Sequence, residues 1–73
     1  MMTRYPVVVE QSPDGSWCAY TLAPTVMTGL GDSRESALAD LEGAAKFWVE
    51  YMKETGQPIP PAEIEVTSIE VAA

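Results

Sequence analysis

Histidine is absent from this chain, and cysteine occurs once. Without histidine, neither a Ser-His nor a Cys-His nucleophilic pair can be assembled. A lone Cys18 closes no internal disulfide and cannot make a zinc site by itself. It stands beside Trp17 in a stretch that reads as a strand. No cation or helix start lies near it in sequence to favour the thiolate, so it reads as strand packing. Positive charge is also scarce: Arg4, Arg34, Lys46 and Lys53 stand against 11 acidic residues, giving a formal charge of −7. The four cations form no cluster, so direct binding to nucleic acid through a basic patch is not expected. No apolar run approaches membrane-spanning length, and the opening Met1-Met2-Thr3-Arg4 lacks the apolar stretch of a leader peptide. No membrane association is expected. One unpaired thiol fits a reducing compartment, so the expected location is the cytoplasm.

What is present suffices for one small domain over residues 1–73. Hydrophobic residues make up 47% of the 73, ordinary for a globular chain and too many for a disordered one. A core this small usually needs a disulfide, a metal or partner chains. The first two have no residues to build them, so a homodimer or larger homo-oligomer is expected, and no cofactor. The acidic balance favours solubility and attraction to a basic partner.

Residues 32–56 read as one long amphipathic helix. Asp32 is placed to cap its start, with Glu35 at the capping-box position, and both carboxylates suit the positive end of the helix dipole. Gly56 followed by Pro58 marks its end. Leu38, Leu41, Ala45, Trp48 and Met52 recur at spacings of three and four and share a face, flanked by Ala37 and Val49. At ~100° per residue Phe47 points roughly 140° from the centre of that stripe. Ala44 and Tyr51 lie between. Two readings stay open for Ala44, Phe47 and Tyr51: the segment leaving the helix covers them, or they form a second apolar strip that meets another chain.

Before the helix, Tyr5-Pro6-Val7-Val8-Val9-Glu10 reads as a first strand, with Pro6 marking an edge or a start. Ser12-Pro13-Asp14-Gly15 reads as the turn of a hairpin into a second strand over residues 16–22. A short third strand is expected at Val26-Met27-Thr28, with Gly29-Leu30-Gly31 as a flexible lead into the helix. After the helix, Gln57-Pro58-Ile59-Pro60-Pro61 reads as a stiff connector. A last strand is expected over residues 62–71. Ile64 and Val66 share one face of it, but Ile69 and Val71 have the opposite parity. Either a bulge at Thr67-Ser68 corrects this, or the strand leaves its own sheet and joins another chain. The order is β-β-β-α-β, an α+β fold with one long helix packed on an antiparallel sheet.

Catalytic signals are few. Gly29-Leu30-Gly31 before a helix has the start of a phosphate-cradling pattern, but Arg34 stands where the third glycine belongs. Glu63 and Glu65 share a strand face and could, with Asp32, hold a hard cation for a metal-assisted hydrolase; two carboxylates on a solvated face is the plainer reading. No pair of acids stands out as general acid and base. The chain is expected not to be an enzyme.

The run Gly31-Asp32-Ser33-Arg34-Glu35-Ser36-Ala37-Leu38, preceded by an Asp14-Gly15 hairpin and followed at helix length by Gly56-Gln57-Pro58-Ile59-Pro60, resembles the HicB family of antitoxins over residues 5–61. Gly31, Asp32, Ser33, Glu35 and Ala37 carry the signature. The resemblance implies a β-β-β-α-β domain of partial RNase H-like type, found in dimers or larger assemblies. It also implies a role in a type II toxin–antitoxin system, binding and neutralising a small basic toxin that cleaves messenger RNA. Many members carry a further DNA-binding segment. This sequence has no room for one by residue 73, so it reads as a short form without one. Ser36 stands where the family often has an acid, and Ala23-Pro24-Thr25-Val26 lacks its usual Pro-Gly centre. The alternative is an orphan oligomeric domain that binds a small ligand or regulates another protein.

Overall fold

A computed structural model describes residues 4–72. Three strands, β1 (Val7–Gln11), β2 (Trp17–Thr21) and β3 (Thr28–Gly31), precede one helix, α1 (Arg34–Glu54). The sheet is antiparallel in the order β1-β2-β3. The arrangement is α+β, with the long helix lying across one face of the sheet. β1 and β2 are joined by the turn that the sequence marks, where Gly15 N–H donates to Ser12 O at 2.9 Å and Ser12 N–H to Ser16 O at 2.8 Å. The Asp14 carboxylate accepts from Ser16 N at 2.9 Å and from Ser16 Oγ at 2.7 Å, and these bonds hold its pKa below the ordinary value.

The register divides the side chains into two sets. Val7 pairs with Thr21, Val9 with Ala19 and Gln11 with Trp17, and then Trp17 with Gly31 and Ala19 with Gly29. These residues face the helix. Val8, Glu10, Cys18, Tyr20, Thr28 and Leu30 form the outer face, where the Tyr20 hydroxyl donates to Glu10 Oε1 at 3.1 Å. That bond is the main reason the phenol's pKa is raised. Ala19, Ala37 and Leu41 make the buried centre, with Val9, Trp17, Met27 and Leu38 packed around them. Met52 is buried further along the helix, and Tyr5 meets Trp48 edge to face at a centroid distance of 6.4 Å. The core is small and two of its members are alanines, so close approach of backbone to backbone takes the place of bulk.

That approach corrects the reading of Gly29-Leu30-Gly31. These residues are not a flexible lead but the third strand itself, two residues later than Val26-Met27-Thr28. Gly29 lies against the backbone of Ala37 and Leu41, and a Cβ there would sit 2.8 Å from Leu41 Cα. A Cβ on Gly31 would sit 2.6 Å from Ala37 N. Glycine weakens most strands, but here the missing side chain is what lets the helix seat on β3.

The helix start also differs from expectation. Ser33, not Asp32, is the N-cap, and Ser36 takes the N3 place assigned to Glu35. Ser36 N–H donates to Ser33 Oγ at 3.1 Å, and Ser33 N–H donates to Ser36 Oγ at 3.0 Å. A hydroxyl can both accept and donate, so two serines close the box that a Ser-Glu pair usually closes. Ser36 Oγ also donates to Ser33 O at 3.0 Å. Ser33→Ala is expected to lower stability by about 1 kcal/mol, seen as a fall in the urea midpoint with an unchanged slope.

The helix ends as its sequence implies. Gly56 has φ +72°, Gly56 N–H donates to Lys53 O at 3.2 Å, and Gln57 N–H donates to Met52 O at 3.0 Å. This is a Schellman closure with glycine in the left-handed position.

The expected closing strand over residues 62–71 is not formed. Residues 57–72 carry neither helix nor strand, and residues 63–72 are exposed throughout. Its β-branched content is real, but strand propensity becomes strand only where an edge is within reach to pair with.

Candidate functional site

The helix turns two surfaces outward from its packed stripe. The first is the Ala44–Phe47–Tyr51 strip. Phe47 is 73% exposed and Tyr51 51%, while Ala44 is half-buried. The exit segment therefore does not cover Phe47. On the helix surface the neighbours of Phe47 are the residues three, four and seven away. These are Asp40, Gly43, Ala44, Glu50, Tyr51 and Glu54. The apolar strip is thus bordered by three carboxylates and no cation. Gly43 meets nothing within 4 Å of a Cβ position, which leaves the strip's floor flat and open.

The second surface is a groove of about 510 Å³ between α1 and the free side of β1. Tyr5, Val7 and Thr21 line it from the sheet, Ala45 and Val49 from the helix. Glu42, Lys46, Glu50 and Lys53 complete its lining. Its apolar lining follows from how the helix seats: α1 approaches β3 most closely, through the two glycines, and so stands away from β1. The connector at Ile59, Pro60, Pro61 and Ala62 continues this surface beside Tyr5, Val49 and Lys53. No local pattern in the sequence marks the groove, because its walls are far apart along the chain. The one available signal was Val49, apolar yet at the margin of the packed stripe.

The signature residues have structural places. Gly31 ends β3 against the helix, Ser33 caps the helix, and Ala37 is fully buried beneath Gly29. Asp32 and Glu35 are exposed. Glu35 lies 3.9 Å from the Arg34 guanidinium, a surface contact of little energetic weight. These five residues build the junction of strand and helix, and none reaches the Phe47 strip. Asp32, Glu63 and Glu65 are not brought together: among the described residues no three His, Cys, Asp or Glu side chains are grouped to hold a metal ion. Cys18 is half-buried on the outer face of the sheet, paired across to Glu10 and Leu30. Among the described residues, no helix is long and apolar enough to cross a membrane.

No protein-family model matches this chain, and neither a curated protein nor a solved structure matches it.

Proposed function

We propose that this chain is a binding module rather than an enzyme. In this reading it is a HicB-like antitoxin that covers and neutralises a small basic mRNA-cleaving toxin, working in the cytoplasm as a homodimer or larger homo-oligomer. The observation that carries the reading is the exposed Phe47–Tyr51 strip with its border of carboxylates. An aromatic pair gives a partner a desolvated anchor, and a ring of like charge speeds and orients the approach of a basic one. The chain's net charge of −7 acts in the same sense at longer range. The resemblance of residues 31–38 and 56–60 to the antitoxin signature supplies the identity of the partner class.

The test is co-purification with the product of a short, basic reading frame beside this chain's gene. The unaltered chain retains that product at moderate salt and loses affinity as salt rises. Phe47→Asp is expected to weaken binding about 30-fold, the loss of a ~2 kcal/mol anchor. Its helix content should stay unchanged, because Phe47 makes little of the core. If Phe47→Asp binds as tightly as the unaltered chain, the strip is not the contact.

A further inference from the structure

The exposed C-terminal segment and the free edge of the sheet are complementary. Residues 63–71 contain Ile64, Val66, Ile69 and Val71, all exposed, Ile69 to 85%. Such a segment bears largely exposed apolar side chains, Ile64 the least exposed at 44%, and its backbone joins no strand of its own chain. The radius of gyration is 14.4 Å, whereas a compact chain of this length has one of about 11 Å. The longest dimension is 48 Å, while the 21-residue helix accounts for only about 32 Å. The segment thus stands off as an arm.

The two edges of the sheet are not equivalent. In an antiparallel pair, alternate residues turn both N–H and C=O to the neighbouring strand. Thr21 N–H donates to Met27 O at 2.9 Å, so on the β3 side Gly29 and Gly31 turn inward and Leu30 outward. The outward Leu30 N–H is occupied by Asp40 Oδ2 at 2.9 Å. A carboxylate from the helix therefore blunts the β3 edge against pairing. On the other side Leu22 N–H donates to Pro6 O at 3.2 Å. Pro6, Val8 and Glu10 thus turn toward β2, and Val7, Val9 and Gln11 turn their backbone groups out. No described residue occupies those groups, and the groove beneath the helix lies directly beside them.

We propose that residues 63–71 of one copy add as a fourth strand to the β1 edge of a second copy, filling its groove. This deepens the homo-oligomer of the reading above and does not depend on a toxin. The added strand explains the parity change in the arm without a bulge. Ile64 and Val66 enter the groove between Val7 and Val49. Ile69 and Val71 fall on the outer face of the sheet. Glu70 comes to the groove side, which Lys46 and Lys53 line together with Glu42 and Glu50. Backbone pairing gives the affinity, and alternate side chains set the register.

The test uses the full chain at micromolar concentration. Sedimentation equilibrium is expected to give twice the chain mass. In a sample mixed from ¹⁵N-labelled and ¹³C-labelled chains, filtered NOEs are expected between Ile64 or Val66 of one copy and Val7 or Val49 of the other. Val66→Pro with Ile69→Pro, which removes one donor facing β1 whichever way the arm runs and interrupts the strand at two points outside the core, is expected to give a monomer with the same helix signal. A monomeric unaltered chain overturns both the arm exchange and the homo-oligomer. A dimer that persists with both prolines overturns the arm exchange and leaves the homo-oligomer standing on another surface. NOEs confined to one chain show the arm closing its own sheet, which also overturns the proposal.

Discussion

Gly29→Val is expected to leave most of the chain unfolded. Gly29 is buried, and the atoms nearest a Cβ at this position belong to the backbone of Ala37 and Leu41, which cannot rotate aside. Seating even a methyl group would lift the helix from β3 and break the contact on which Ala19, Ala37 and Leu41 depend. Overpacking of this kind costs about 1–3 kcal/mol or more, and valine adds bulk beyond the methyl. A chain of this length has a total stability of about 4–11 kcal/mol, at ~0.05–0.15 kcal/mol per residue. Gly29→Ala should accordingly lose a large part of the unfolding free energy and Gly29→Val nearly all of it, read by far-ultraviolet circular dichroism and urea unfolding. Gly43→Ala is the internal contrast. It faces open space in the middle of the helix and should stabilise by about 0.5–1 kcal/mol. If Gly29→Ala unfolds at the same urea concentration as the unaltered chain, the helix does not lie on β3 as described.

Thr21→Val is the second large effect. Thr21 is 1% exposed, the most buried polar side chain described. Its Oγ1 donates to Thr25 O at 2.7 Å and accepts from Met27 N–H at 2.9 Å, so one hydroxyl ties the loop between β2 and β3 to the end of β2. Valine keeps the shape and removes both bonds. A part-buried carbonyl and a part-buried amide then lose their partner, at about 1–3 kcal/mol for each group left unsatisfied. A total of about 2–6 kcal/mol is expected. Thr21→Ser keeps the hydroxyl and loses only a methyl group, about 1 kcal/mol. The order in urea midpoint should therefore be unaltered chain, then serine, then valine. Valine equal to or above serine would mean that the hydroxyl bridge contributes little.

Thr21 and Gly29 also show which parts of the fold were legible in the sequence. The long helix was clear, because a stripe from Leu38 to Met52 and a Gly-x-Pro stop are local signals. The first hairpin was clear for the same reason. The third strand lies two residues beyond Val26-Met27-Thr28, a place the sequence does not mark because glycine at 29 and 31 argues against strand on its own. Its necessity at 29 appears only when α1 is laid across it. The cap falls one residue after Asp32, since Asp32 and Ser33 are both good caps. The choice fell to Ser36, whose hydroxyl completes the box that Glu35 was expected to complete. The last strand is strand-like in composition, yet residues 62–71 form no strand within the chain. Pairing is a property of two strands, and the second one is not specified by the first.

The surfaces divide in the same way. Phe47 and Tyr51 were placed off the packed stripe by helical geometry alone, and both are exposed. The groove between Tyr5, Val7, Ala45 and Val49 was not foreseen, because it exists only where a helix held close to β3 stands away from β1. The signature of residues 31–38 accounts for a tight strand-to-helix junction. It identifies a resemblance without itself forming a contact surface, so the Phe47 strip has to be tested separately.

The most direct test of the binding role is a growth-rescue assay. The basic reading frame adjacent to this chain's gene is expressed from an inducible promoter, with and without this chain. The account predicts that the neighbour alone arrests growth, that the unaltered chain restores it, and that Phe47→Asp restores it poorly at equal abundance. A neighbour that is harmless alone, or an arrest that the folded, abundant chain does not relieve, would contradict the antitoxin reading.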